Sequence, residues 1–134
     1  MIKSKKLLLI VPNWRWVDEE KNVNYPYPPY NLCLLASIVR DLVDVTIIDA
    51  YVDDLSIKQI TKEIKKQKPD IVGITVLMDQ LASAGHKVTE IAKSINKDII
   101  TIMGGVYVTV NSYRAMEDKH LDYAFIGEAE ISFL

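Results

Sequence analysis

Five short apolar runs alternate with helical patterns, and this alternation constrains the fold more than any other feature of the chain. The runs are predicted strands at residues 7–11, 45–48, 71–76, 99–103 and 123–126. Runs that are apolar throughout and rich in Ile and Val are typical of strands covered on both faces. Strand–helix alternation with short connections predicts a parallel sheet with right-handed crossovers. The predicted fold class is therefore α/β, an open, doubly wound, five-stranded parallel sheet with helices on both faces.

Helical spacing of apolar residues marks the segments between the strands. The second of these helices is expected to begin after Ser56, a suitable N-cap. A shorter fourth helix is predicted at residues 111–117, with Tyr113 and Met116 facing inward. The inward residues expected for the first three helices are Leu32, Leu35, Ala36 and Val39, then Ile57, Ile60 and Ile64, then Val88, Ile91, Ala92 and Ile95.

Two segments depart from the regular alternation. Residues 13–30 form a long connection with five aromatic side chains, and connections of this length in a compact domain are usually functional or disordered. The aromatic content argues against disorder and leaves two readings open, a functional loop and an aromatic lid packed on the sheet edge. Residues 127–134 resemble the opening of a last helix that is truncated after one turn. The whole chain, 1–134, is therefore expected to be one domain and a fragment of a longer protein.

Composition and charge exclude several classes of protein. The 16 basic and 18 acidic residues give a net charge of −2, which provides no electrostatic reason to expect nucleic acid or an anionic membrane as partner. The apolar runs are far shorter than the roughly 20 residues that span a bilayer. The single cysteine, Cys33, excludes a disulfide framework and a multi-cysteine metal site made by this chain alone. A cytoplasmic location is the expectation.

Candidate ligand-binding residues follow the predicted strands, because doubly wound sheets bind ligands outside the carboxyl ends of their strands. Nucleotide-binding glycine motifs and the esterase motif Gly-x-Ser-x-Gly are absent from the sequence. No catalytic residue and no metal ligand is predicted. The candidate cofactor-binding residues are Pro12, Asn13, Trp14, Thr75, Val76, Leu77, Gly104, Gly105, Val106, Gly127 and Glu128.

Six segments together resemble the N-terminal cobalamin-binding domain of cobalamin-dependent radical S-adenosylmethionine enzymes, and the resemblance covers essentially the whole chain. They are the strand ending in Pro12, Tyr27-Pro-Pro-Tyr-Asn-Leu32, Val45-Thr-Ile-Ile-Asp-Ala50, Lys68-Pro-Asp-Ile-Val-Gly-Ile-Thr75, Ile102-Met-Gly-Gly-Val-Tyr107 and Asp122-Tyr-Ala-Phe-Ile-Gly-Glu-Ala-Glu130. The last segment carries Ala129 where the family usually has glycine.

The resemblance implies that a corrin lies over the carboxyl ends of the strands and that its nucleotide tail threads into the sheet edge. It implies that Thr75 donates a hydroxyl hydrogen bond to the tail, beside Leu77, and that Gly104 and Gly105 leave room for it. Asn13 and Trp14 would lie against the lower face of the corrin. The family's methionine synthase branch has a cobalt-binding histidine after the first strand, which this chain lacks, so no protein histidine is expected on cobalt.

The same resemblance implies a parent enzyme of the methyltransferase or tetrapyrrole-ring cyclase type. A downstream radical domain of that enzyme would bind a 4Fe-4S cluster and S-adenosylmethionine. This chain cannot hold the cluster itself, because Cys33 is its one cysteine. Two alternatives share the flavodoxin-like strand order 2-1-3-4-5. A receiver-like signalling domain would need acidic residues after the first strand, where Pro12 and Asn13 stand. A flavin-binding domain would need a Ser/Thr/Gly-rich phosphate loop at the same place.

Overall fold

Five parallel strands form a single sheet in the computed structural model, which describes residues 5–16, 29–78 and 81–127. Its order is β2-β1-β3-β4-β5, and every neighbouring pair is parallel. The predicted doubly wound, flavodoxin-like sheet is therefore confirmed. The strands are β1 (Lys6–Val11), β2 (Asp44–Asp49), β3 (Ile71–Thr75), β4 (Ile100–Gly104) and β5 (Tyr123–Ala124).

Helices pack on both faces of the sheet, as predicted. One face carries α1, whose Leu32 and Val39 are buried against Leu7 and Leu9 of β1. The residues between them in β1 point to the opposite face, because side chains alternate along a strand. There Leu8 and Ile10 join the core formed with the other helices. The helices are α1 (Tyr30–Val39), α2 (Ile57–Gln67), α3 (Ala82–Ile95), α4 (Val106–Val110) and α5 (Ser112–Ala115), and residues Trp14–Trp16 form one turn of 3-10 helix.

The start of α2 confirms the N-cap predicted at Ser56. The hydroxyl of Ser56 accepts a hydrogen bond from the Gln59 amide at 3.1 Å, and the Gln59 side chain accepts one from the Ser56 amide at 2.8 Å. This capping box satisfies two amides at the helix start. At the other end Lys68 adopts a left-handed conformation, with φ of 49°. Between these caps Ile60 and Ile64 are fully buried, each contributing about 1.5–3 kcal/mol.

The predicted fourth helix differs from the structure. Residues 106–115 form two short helices, α4 and α5, interrupted at Asn111 with φ of −124° and ψ of 48°. Tyr113 is 93% exposed and Met116 is also exposed, so their predicted inward orientation is wrong. Ala115 is the buried residue of α5. The break at Asn111 rotates the second helix relative to the register that a continuous helix would keep.

Strand ends also differ from the predicted ones by one or two residues: β2 and β4 end one residue later, whereas β3 and β5 end earlier. Strand β3 ends at Thr75, one residue before the predicted end, although the Val76 amide still donates to the Gly104 carbonyl at 3.0 Å. Strand β5 has only two residues, and the Phe125 amide donates to Met103 beyond it. The predicted last helix and most of the aromatic loop lie outside the described residues. Among those that are described, no helix is long and apolar enough to cross a membrane.

Candidate functional site

A cavity of about 200 Å³ opens beside the carboxyl ends of β3 and β4, on the face that carries α1. A water molecule needs only about 10–15 Å³ of such space, so this cavity has room for part of a ligand. Asn31 and Thr75 supply its polar side chains. The remaining lining residues are Leu9, Leu32, Leu35, Ile74, Ile102, Met103 and Phe125, with four glycines, Gly73, Gly104, Gly105 and Gly127.

A second cavity of about 180 Å³ lies over the ends of β1, β2 and β3. Its walls are largely aromatic and aliphatic, and Asp49 is its one carboxylate among the described residues. The residues that line it are Val11, Trp14, Pro29, Tyr30, Asn31, Leu32, Asp49, Tyr51, Thr75 and Leu77.

The two cavities share three residues: Asn31, Leu32 and Thr75. They therefore form one cleft that turns at Thr75, with a hydroxyl and an amide at the turn. The cleft lies between β1 and β3, where the strand order reverses and where doubly wound sheets bind ligands. It has room for a ligand with one part over the second cavity and another part in the first.

The two glycines after β4 have different surroundings. A Cβ built on Gly104 would meet no atom within 4 Å, so the space beside this glycine is open and belongs to the first cavity. A Cβ on Gly105 would lie 2.3 Å from the Val76 carbonyl oxygen. Gly105 also has φ of 113° and ψ of 179°, a conformation available essentially to glycine alone. Gly104 therefore leaves room for a ligand, whereas Gly105 allows two backbone segments to approach.

Asn13 and Arg15 hold the turn after β1 against the loop after β2. The Asn13 amide donates to Asp54 Oδ1 at 2.9 Å and to the Leu55 carbonyl at 3.1 Å. Arg15 donates to the Tyr51 carbonyl at 3.1 Å, and its guanidinium lies 4.4 Å from the centre of the Tyr51 ring. Asn13 is buried and engaged within the protein, so it fixes the aromatic wall of the second cavity rather than lining it.

A chain of polar side chains links α3 to the segment that follows α5. His86 Nδ1 lies 2.7 Å from Asp118 Oδ2, and His86 Nε2 lies 3.0 Å from the Tyr107 hydroxyl. The Thr89 hydroxyl also reaches Asp118 Oδ2 at 2.5 Å. Burial by itself would raise the pKa of Asp118, but hydrogen bonds from Thr89 and His86 outweigh it and lower the pKa below its usual value. Neither His86 nor His120 lines the cleft.

The structure brings six of the eleven sequence-predicted site residues to the cleft. Four others lie nearby without lining it: Pro12, Asn13 and Val76 are buried, and Val106 is 58% exposed on α4. Glu128 lies outside the described residues. The six that line the cleft are Trp14, Thr75, Leu77, Gly104, Gly105 and Gly127.

Sequence reasoning missed the contribution of α1 and of the strand interiors. Asn31, Leu32 and Leu35 line the cleft from α1, although Leu32 and Leu35 were predicted only as core residues. Gly73 lies in the middle of β3, where a glycine indicates that a ligand or another segment approaches the strand closely. Phe125 reaches the cleft only because β5 pairs with β4.

Fold and cleft together define an open α/β domain that binds a ligand at the switch in strand order. The family model of the B12 binding domain matches residues 21–134 of the chain. The chain therefore belongs to the B12-binding domain family, which confirms the family resemblance drawn from the sequence.

Curated relatives at 30% identity or more include two larger proteins. An uncharacterized methyltransferase of Pyrococcus horikoshii is 38% identical over 133 residues, which are 98% of this chain and 28% of that protein. The anaerobic magnesium-protoporphyrin IX monomethyl ester cyclase of Rubrivivax gelatinosus is 35% identical over 128 residues, 93% of this chain and 22% of that protein. The chain thus spans about a quarter of the length of these relatives.

Solved structures share the fold at low sequence identity. The cobalamin-dependent S-adenosylmethionine radical enzyme OxsB, with aqua-cobalamin bound, superposes with a TM-score of 0.73 at 23% identity, over 96% of this chain and 18% of that one. A cobalamin-binding protein of Desulfitobacterium hafniense gives 0.64 at 16% identity, over 94% of this chain and 55% of that one. The response regulator DrrB of Thermotoga maritima superposes with a TM-score of 0.59 at 13% identity, over 98% of this chain and 49% of that one. These likenesses establish the architecture alone.

Proposed function

We propose that this chain binds cobalamin in the cleft at the carboxyl ends of its strands. The observation that carries the proposal is that two adjoining cavities, one with an aromatic wall and one beside Gly104, meet at Thr75. Membership of the B12-binding domain family supports the same ligand. The receiver-like and flavin-binding alternatives have no such support.

The residues that line the cleft fit cobalamin. Open space beside Gly104 admits an extension of the ligand between β4 and α1. Thr75 and Asn31 place a hydroxyl and an amide where the ligand must turn, and apolar side chains elsewhere favour burial of flat surfaces. Trp14, Tyr51 and Leu77 offer a wall over which a corrin would lie. Binding here depends on shape and apolar contact, because none of the described Lys or Arg residues lines the cleft.

Cobalt would bind in this site without a protein histidine. Residues 5–16 contain none, and both histidines of the chain, His86 and His120, are bonded to Asp118 outside the cleft. Bound cobalamin supplies a cobalt centre that accepts and donates methyl groups or electrons. This chain would hold the macrocycle against Trp14, Tyr51 and Leu77 and would shield that face of the ring from water.

The relatives suggest the context in which the domain acts. A methyltransferase and an anaerobic ring cyclase carry a similar segment within longer chains, so we propose that this domain serves a radical S-adenosylmethionine enzyme of one of these kinds. The partner would be a downstream domain that holds a 4Fe-4S cluster and S-adenosylmethionine. This chain has one cysteine and would leave that chemistry to its partner.

A spectroscopic titration tests the binding proposal. Hydroxocobalamin added to the protein should bind saturably, with the absorption shift that marks release of the tail base from cobalt. Gel filtration should recover the corrinoid with the protein. Absence of saturable binding by the folded protein would refute the proposal.

A further inference from the structure

The side chain of Tyr107 connects one wall of the cleft to the opposite face of the sheet. Gly104 and Gly105, which we call the glycine turn, line the first cavity, and α4 begins at the next residue. Tyr107 is only 2% exposed and lines neither cavity. Its hydroxyl lies 3.0 Å from His86 Nε2 of α3, and the two rings meet edge to face with their centres 5.7 Å apart. One side chain therefore couples the glycine turn to α3.

The short helix α4 depends on such contacts to stay in place. It has five residues, far fewer than the roughly 12–15 that an isolated helix needs for even marginal stability. Gly105 precedes it and provides no side-chain cap. The Tyr107 amide donates to the Val76 carbonyl at 3.3 Å, which is long for a backbone hydrogen bond. The two buried side chains of α4, Tyr107 and Val108, therefore hold the helix against the rest of the domain.

Asp118 fixes the orientation of His86 and so the direction of its hydrogen bond to Tyr107. His86 Nδ1 lies 2.7 Å from Asp118 Oδ2, which the Thr89 hydroxyl also reaches, and the His120 amide donates to Oδ1 at 2.8 Å. The lowered pKa of Asp118 keeps it a carboxylate at neutral pH, and a carboxylate only accepts hydrogen bonds. His86 therefore donates through Nδ1, and Nε2 of the neutral ring accepts from the Tyr107 hydroxyl.

Resting on the proposed function, we propose that His86 is a positioning residue for cobalamin binding. Held by Asp118, it anchors Tyr107 and so keeps the glycine turn clear of the first cavity. Tyr107 lies only two residues after Gly105, so a shift of the anchored side chain moves the backbone that lines the cavity. Loss of this anchor should weaken cobalamin binding even in a protein that remains folded.

Hydrogen exchange of the cofactor-free protein tests the anchor directly. Tyr107→Phe removes the hydroxyl and keeps the ring. The amides of residues 107 and 109 donate to the Val76 and Gly105 carbonyls, and in this variant they should exchange about fivefold faster, the factor that one hydrogen bond contributes. Exchange at the parent's rate would show that the hydroxyl does not hold α4, and would overturn the inference.

Equilibrium titrations with hydroxocobalamin connect the anchor to binding. His86→Ala and Tyr107→Phe, at a temperature where circular dichroism shows both folded, should each raise the dissociation constant about fivefold. The double variant should bind no more weakly than the weaker-binding single variant, because both substitutions break the same hydrogen bond. Dissociation constants that stay at the parent's value, or effects that multiply fully in the double variant, would overturn the inference.

Thr101→Val is the control for a loss of stability alone. The buried Thr101 hydroxyl donates to the His120 carbonyl and accepts from the Asp122 amide at 3.1 Å, near the start of β4 and outside the cleft. This variant should lose stability and keep the parent's dissociation constant; equally weakened binding would overturn the inference. A parent that binds no cobalamin would refute the proposed function and the inference with it, whereas unaffected binding by the anchor variants would refute the inference alone.

Discussion

A Cβ atom built on Gly105 would lie 2.3 Å from the carbonyl oxygen of Val76, closer than real Cβ contacts allow. The same carbonyl accepts a hydrogen bond from the Tyr107 amide at 3.3 Å. The first turn of α4 is therefore held directly against the residue that follows β3. The neighbouring Gly104 has no such restriction, and this contrast separates a structural glycine from a ligand-facing one.

Substituting the two glycines should have opposite effects. Gly105→Ala should destabilise the protein by about 1–3 kcal/mol from backbone conformation alone. Gly104→Leu should change the unfolding free energy less than Gly105→Ala does, because a Cβ at this half-buried position meets no atom within 4 Å. It should nevertheless weaken cobalamin binding at least about tenfold by filling the first cavity. Urea denaturation and corrinoid titration on both variants measure the effects. Unimpaired binding by Gly104→Leu would contradict our placement of the tail.

Removing the hydroxyl of Thr75 should weaken cobalamin binding without loss of fold. Thr75→Val keeps the shape of the side chain and deletes its hydrogen-bonding group at the turn of the cleft. We expect a loss of about fivefold to tenfold, the effect of one hydrogen bond of about 1 kcal/mol or slightly more. Thr75→Ser should retain most of the affinity. Thr46→Val in β2 makes the same change away from the cleft and serves as the control.

The histidines should be dispensable for cobalt but not for stability. The spin-resonance spectrum of the protein loaded with cob(II)alamin should lack imidazole superhyperfine splitting, and it should be the same in His86→Ala and His120→Ala. His86→Ala should nevertheless cost about 1 kcal/mol of stability, because the partly buried Asp118 and the Tyr107 hydroxyl each lose their hydrogen bond to His86. A spectrum that changes in either variant would show that a histidine binds cobalt.

Acid should destabilise the protein in part through Asp118. Its pKa is lowered in the folded state, so the stability it contributes is present above the unfolded value near 3.8 and is lost as pH falls through the folded pKa. Asp118→Asn should therefore be less stable at neutral pH and lose less stability between pH 5 and about 2. Asp98→Asn, in an exposed turn, removes the same charge and should behave as the parent does. Parallel pH profiles for the parent and Asp118→Asn would contradict this role.

Features that depend on neighbouring residues were predictable. The five strands, the N-cap at Ser56 and the inward faces of α1 to α3 follow from short-range patterns of apolar and capping residues. The family resemblance added Thr75, Leu77 and Gly104, all of which line the cleft. Each of these signals lies within a few residues along the chain, so the sequence alone carries it.

Features that depend on distant residues were decided by the tertiary structure. Leu35 of α1, Gly73 of β3 and Phe125 after β5 share one cavity only because the sheet order brings β1, β3, β4 and β5 together beneath α1. The glycine requirement at position 105 arises from the Val76 backbone, 29 residues earlier, and the break at Asn111 exposes Tyr113. A cavity is the space that packing leaves between segments remote in sequence, so its lining follows from those contacts and from no single local pattern.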